Sequence, residues 1–126
     1  MPKIDSELEL ALNYLDHNKD ESLKRLFDIL KIPSISTQEK YSKDCLNAAN
    51  WFVEQLQDIG FDASIRETNG HPMVVAHFEQ EGPHFLFYGH YDVQPIDPIK
   101  LWNHDPFEPK IEKSHNGEII LSLIHI

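Results

Sequence analysis

Four consecutive large apolar residues, Phe85-Leu86-Phe87-Tyr88, run into Gly89 and then into His90-Tyr91-Asp92. A short, aromatic-rich apolar run of this kind is predicted as a strand buried in a core, because such side chains must leave water. If the backbone stays extended past Gly89, His90 and Asp92 point to the same side, since side chains at i and i+2 share a face. An imidazole and a carboxylate would then emerge together from the end of a core strand, where α/β proteins place their chemistry.

Two readings of that pair are open from the residues alone. Neutral imidazole is the commonest metal ligand, and a ligating His usually donates its second ring proton to a carboxylate that fixes the tautomer. The plainer reading is a strand-end His hydrogen-bonded to a nearby Asp at the surface. A three-residue pattern needs structural context to choose between them.

The next segment narrows the choice. Val93-Gln94-Pro95 follows the pair, and then come Leu101-Trp102-Asn103-His104-Asp105-Pro106-Phe107 and Asn116-Gly117-Glu118-Ile119-Ile120. Tyr88-Gly89-His90-Tyr91-Asp92-Val93-Gln94-Pro95 resembles the first metal motif of the dinuclear-metal aminoacylase, carboxypeptidase and dipeptidase superfamily, in the form of its carnosine-dipeptidase-like branch. Trp102 with Asp105-Pro106-Phe107 and the 116–120 segment is similar to the family's next block. The resemblance spans most of residues 20–120.

That resemblance implies an α/β fold, a mixed sheet between helices in a three-layer sandwich. It also implies a hydrolase of peptide or other amide bonds that uses two divalent ions, zinc first and manganese or cobalt as alternatives. His90 matches a metal ligand, and Asp92 matches the carboxylate that clamps that His without itself ligating. The family's general base and its other ligands match nothing in this chain. The substrate implied is a small peptide or an acylated amino acid, with a dipeptidase favoured over a deacetylase or desuccinylase because of Tyr91 and Gln94-Pro95. The resemblance also allows a homodimer of the complete enzyme and a cytoplasmic location.

Relatives continue from the 117–120 strand into an aromatic residue, Gly-Arg-Gly and a bridging Asp. Here Leu121-Ser122-Leu123-Ile124-His125-Ile126 follows instead. That hexapeptide resembles one reading frame of a transposon-end adaptor used in sequencing libraries. The expectation is an N-terminal part of a catalytic domain over residues 1–120, with a non-native tail over 121–126. An authentic apolar C-terminal strand is the alternative. On its own such a fragment is expected to be inactive or to be a non-catalytic binding piece, since one His falls short of the three protein ligands a catalytic zinc needs.

Composition excludes several classes. A formal charge of −10 argues against nucleic acid or an anionic membrane as partner. The single cysteine, Cys45, cannot form an internal disulfide and suits a reducing compartment. It falls on the apolar face of a predicted helix, where packing outweighs catalysis. No basic segment precedes an apolar one at the start, and no apolar run reaches membrane-spanning length.

Helices are predicted first and strands after. Ile4, Leu8, Ala11, Leu12 and Leu15 mark an amphipathic helix over 4–16. Asn18 with Glu21 suggests an N-cap and capping box for a second helix, with Leu23, Leu26, Phe27 and Leu30 inward and Pro33 ending it. Residues 34–37 are predicted as a loop. A third helix over 40–59 would turn Cys45, Ala48, Ala49, Phe52, Leu56 and Ile59 inward and stop at Gly60. A half-buried strand is predicted through Phe61, Ala63 and Ile65, and one buried on both faces over 73–78. Glu81-Gly82-Pro83 would then turn the chain into an antiparallel hairpin with the His90 strand. Residues 93–109, rich in proline, read as an ordered loop anchored by Trp102 and Phe107.

The remaining histidines carry no pattern. His77 is expected as a hydrogen-bonded core group. His71, His84 and His104 are expected at the surface, and His17 and His115 have no partner pattern.

Overall fold

A computed structural model describes residues 6–113, 116–117 and 119–122. The order is helices then strands: α1 (Ser6–His17), α2 (Lys19–Leu30), α3 (Ser42–Asp58), β1 (Asp62–Arg66), β2 (Met73–His77), β3 (Lys110–Lys113) and β4 (Ile119–Ser122). Short 3-10 turns cover Glu39–Tyr41 and Ile99–Leu101.

The α/β class holds, with α3 laid against β1 and β2. The strands form two antiparallel pairs, β1–β2 and β3–β4. The parallel pairing among the described residues is a single bridge, Ile35 to Val93.

The core collects where α3 faces the 34–36 and 91–93 segments. Cys45, Ala48 and Ala49 on α3, Ala63 on β1, and Ile35 and Val93 are all buried. Small residues on one helix face let backbone elements approach closely, so this core is tight but narrow. Gly60 ends α3 with φ of +95°. Its N–H bonds the Gln57 carbonyl and that of Phe61 bonds the Leu56 carbonyl, the paired closure that a left-handed glycine permits. Gln57 Nε2 then donates to the Ala63 carbonyl at 2.9 Å, tying the helix end to β1.

Several expectations change. α1 forms over its described residues, with Ile4 outside them, yet it buries none of these: Leu8, Leu12 and Leu15 stay exposed, since among the described elements its main neighbour is α2. Asn18 stands at the N-cap position of α2 as expected, but its side chain makes no capping hydrogen bond there. Its Nδ2 donates to the Tyr14 carbonyl and closes α1 instead. Ile59 lies past the last turn of α3 and is exposed. β2 is buried on one face at most: Ala63 pairs with Ala76 and Ile65 with Val74 on the side under α3, while Met73, Val75 and His77 face out.

The largest change concerns residues 85–88. The expected buried strand and its hairpin with 73–78 do not form among the described residues. Phe85, Leu86, Phe87 and Tyr88 are 79%, 96%, 91% and 93% exposed, and the segment belongs to neither sheet. Burial needs a covering layer on each side of a strand, and no described element supplies one here.

The 93–109 loop is ordered, as expected. Trp102 Nε1 donates to the Ile96 carbonyl at 2.9 Å, and Asp105 Oδ1 accepts from the Phe107 N–H at 2.9 Å. Pro106 and Pro109 are buried beneath it. Leu121 and Ser122 pair with Ile111 and Lys110 in the β3–β4 hairpin; the rest of the 121–126 tail, and His115, lie outside the described residues.

A candidate metal-binding site

His90 and Asp92 come together as their spacing predicts, although the apolar run before them forms no strand. His90 Nδ1 lies 3.1 Å from Asp92 Oδ1 and 2.9 Å from the Asp92 backbone carbonyl. Both neighbours are acceptors, so Nδ1 carries the proton and donates to them. In the neutral imidazole Nε2 is then the unprotonated nitrogen, with a lone pair available to a metal. His90 also borders an apolar cavity of about 140 Å³, shared with Ile29, Leu30, Ile32, Ser34, Phe52, Tyr91 and Val93.

Asp92 is held as a carboxylate. Its pKa is lowered first by the hydrogen bond from Ser36 and then by His90 and the backbone, against a burial cost that pushes the other way. Ser36 Oγ donates to Asp92 Oδ2 at 2.6 Å. The two carboxylate oxygens therefore have separate partners, Ser36 on one and His90 on the other.

The 34–36 segment, predicted only as a loop, builds the floor of this pair. Val93 N–H donates to the Ser34 carbonyl at 3.0 Å, and the Ser34 hydroxyl donates to the Tyr91 carbonyl at 2.7 Å. Ile35 between the two serines points into the core and is 1% exposed. His71 is no simple surface group: its Nε2 donates to the Ser36 carbonyl at 2.7 Å. The Tyr91 hydroxyl bonds the Pro72 carbonyl, and its ring packs at a tilt against Phe52, with centroids 6.5 Å apart. The signal in the sequence was the Ser-x-Ser alternation after Pro33, which in an extended segment puts both hydroxyls on one side.

The other candidates sit elsewhere. His77 is not a core group; it is exposed and stacks against His84 with ring centroids 6.2 Å apart. His17 Nδ1 donates to the Asn13 carbonyl at the end of α1. His104 is half-buried in the 99–107 loop with Nδ1 on the Asp105 carbonyl. Cys45 is buried, as expected, with its pKa raised by desolvation first and then by the negative charges of Asp92 and Asp44. Among the described residues no three His, Cys, Asp or Glu side chains converge as a metal cage.

Comparisons with known proteins agree with the family resemblance. No family model matches the chain. The Cys-Gly metallodipeptidase DUG1 of Candida albicans is 27% identical over 121 residues, covering 84% of this chain and 25% of the relative. A succinyl-diaminopimelate desuccinylase of Alkalilimnicola ehrlichii is 38% identical over 61 residues, covering 48% of this chain and 16% of the relative. Among solved structures, the dipeptidase Dug1p of Saccharomyces cerevisiae superposes with a TM-score of 0.67 at 28% identity, over 78% of this chain and 23% of that one. The chain spans about a quarter of the length of the dipeptidase relatives it matches.

The strand pair β1–β2 covered by α3, with the His90–Asp92 pair held against the 34–36 segment, is an α/β arrangement that presents one candidate metal ligand. The chain is similar to dipeptidases and desuccinylases, which fits the dinuclear metallopeptidase superfamily.

Proposed function

We propose that residues 1–120 form the N-terminal part of a catalytic domain that hydrolyses amide bonds in small substrates, with a dipeptidase favoured over an N-acyl amino acid deacylase. The observation that carries this reading is the His90 imidazole, whose Nδ1–H is taken up by Asp92, so that its Nε2 carries the lone pair. His90 fits one protein ligand of a divalent ion, zinc first, with manganese or cobalt as alternatives, and a second ion beside it as in the resemblance. When bound, such ions supply Lewis acidity for an attacking water and for the developing oxyanion.

This chain's part in that chemistry is orientation. Asp92 holds the His90 ring in one tautomer and one plane and raises its basicity as a ligand. In this reading the remaining ligands and the general base are not supplied by this chain, which spans about a quarter of its dipeptidase relatives. The exposed 85–88 run fits the same reading, as a strand awaiting neighbours. Alone, the chain would show no turnover, and the non-catalytic reading stays distinct because it predicts none in any longer product either. The dipeptidase preference rests on Tyr91 and Gln94-Pro95. A cytoplasmic location and a homodimer of the complete enzyme go with this reading; no described helix is long and apolar enough to cross a membrane.

The complete polypeptide, reconstituted with zinc or manganese, should hydrolyse members of a small dipeptide panel faster than N-acetyl or N-succinyl amino acids. A rate on acylated amino acids a hundredfold above every dipeptide, a gap of about 2.7 kcal/mol, overturns the preference. His90→Ala should lower bound metal. Asp92→Asn should cost about 10–100-fold in metal affinity or activity, as loss of such a partner does. Full metal content and full activity in His90→Ala would show that His90 is no ligand.

A further inference from the structure

We propose that Ser36 is a positioning residue for the metal-binding histidine, acting through Asp92. The inference rests on His90 binding metal through Nε2, and it adds a residue that neither the motif nor the sequence resemblance marks. A carboxylate has two oxygens and free rotation about its Cβ–Cγ bond, so one hydrogen bond from His90 does not fix its plane. Ser36 supplies the second constraint: its hydroxyl donates to Oδ2 at 2.6 Å while His90 Nδ1 donates to Oδ1 at 3.1 Å. With Oδ2 occupied, Oδ1 is the oxygen that remains for the imidazole.

The segment carrying Ser36 is itself gripped from two sides. The Ile35–Val93 bridge and the Val93 N–H bond to Ser34 set its register against the 91–93 backbone. His71 donates to the carbonyl of Ser36 at 2.7 Å and stops the peptide from rotating away. Ser36 and Asp92 lie 56 residues apart in sequence, so the contact depends on this packing. The neighbouring Ser34 provides an internal control. Its hydroxyl makes a similarly short bond, 2.7 Å, to the Tyr91 carbonyl, which ties side chain to backbone and is directed at neither the Asp92 carboxylate nor the His90 ring.

A merely structural serine and a positioning serine therefore differ in what they do to the His90 ring. The test is nitrogen-15 NMR of the imidazoles in the labelled full chain at about pH 8.5, above the ordinary histidine range, which reads the Nδ1–H and Nε2–H populations directly. In the unaltered chain His90 should be mainly Nδ1–H. Ser36→Ala should raise the Nε2–H share several-fold, Ser36→Thr should restore the original ratio because it keeps the hydroxyl, and Ser34→Ala should leave the ratio unchanged. No change in Ser36→Ala, or an equal change in Ser34→Ala, overturns the proposal.

A second measurement needs no variant. The Ser36 hydroxyl proton should exchange slowly with water and show a nuclear Overhauser contact to the Asp92 methylene; rapid exchange also overturns it. In the complete enzyme loaded with cobalt(II), Ser36→Ala should weaken metal affinity by about tenfold, the low end for a group one contact removed from a ligand. The tautomer readout is independent of turnover. A chain that hydrolyses no peptide can still pass it, so failure of this inference and failure of the proposed function are separable.

Discussion

Two stretches of this chain lie next to each other in sequence and behave in opposite ways. Tyr91-Asp92-Val93 is locked to Ser34-Ile35-Ser36 by two backbone-directed bonds, one side-chain bond and a buried isoleucine. Phe85 to Tyr88, just upstream, is far more apolar, yet it stands in water. Hydrophobicity supplies a tendency to bury but names no partner. Burial is realised only where another element is present to cover the side chain, and the 34–36 segment covers 91–93 while no described element covers 85–88. The consequence for function is that the chemistry-bearing residues are held by the ordered stretch, so the geometry at His90 does not depend on the exposed one.

The sharpest way to break this contrast is Ile35→Ala. Ile35 is one of the two largest fully buried side chains, and removing its outer carbons leaves a cavity between α3 and the 91–93 segment. A loss of about 2–5 kcal/mol is expected for such a truncation, a large share of the stability of a small domain. Urea unfolding of the variant beside the parent chain measures it. A midpoint shift worth less than about 0.5 kcal/mol, the range of ordinary surface changes, would mean that the seam is not the centre of the fold.

Cys45 sharpens the same contrast with a smaller effect. It lies against the seam and is 0% exposed, and its raised pKa reflects desolvation plus the charges of Asp92 and Asp44. A raised folded-state pKa favours the neutral thiol, so its stabilisation is complete below the unfolded value of 9.0 and is lost as pH climbs from there towards the folded value. Tyr91 is shifted upward from 10.0 by burial, then by Cys45 and Asp92, and extends the loss to higher pH. Stability should therefore fall above pH 9, with Cys45→Ala flattening the first part of that fall. Because the thiolate is the reactive form, a disulfide reagent should label Cys45 only as fast as the chain opens. Immediate full labelling in the folded chain would contradict its burial.

How far the sequence could be read follows from the same physics. α3 was legible because its small residues recur at helical spacing and Gly60 ends it. His90 with Asp92 was legible because i, i+2 alternation is local. Asn18 does start α2, but its side chain serves α1, because the same side chain can close the helix before it or open the one after it, and only the nearly continuous path from α1 to α2 decides. His71 and Ser36 escaped notice because their partners lie 35 and 56 residues away, a separation that no local pattern encodes. Residues 85–88 and 73–78 were read as buried because composition records what a strand prefers. Whether a neighbour is there to satisfy it is a property of the whole assembly.

Phe87→Ser is the mildest change and the most direct probe of the exposed run. The Phe87 ring is 91% exposed, so its removal takes away almost no intramolecular packing, and the unfolding free energy should move by less than about 0.5 kcal/mol. What should change is association. Four consecutive large apolar residues in water form a patch that self-association would cover, and an unpaired strand-like segment offers free backbone donors and acceptors to a second copy. Sedimentation velocity across a concentration series should therefore show less oligomer for Phe87→Ser than for the parent, at equal stability. A destabilisation above about 2 kcal/mol, the scale of a buried aromatic truncation, would show instead that Phe87 is packed inside the chain. The two halves of the contrast would then collapse into one core.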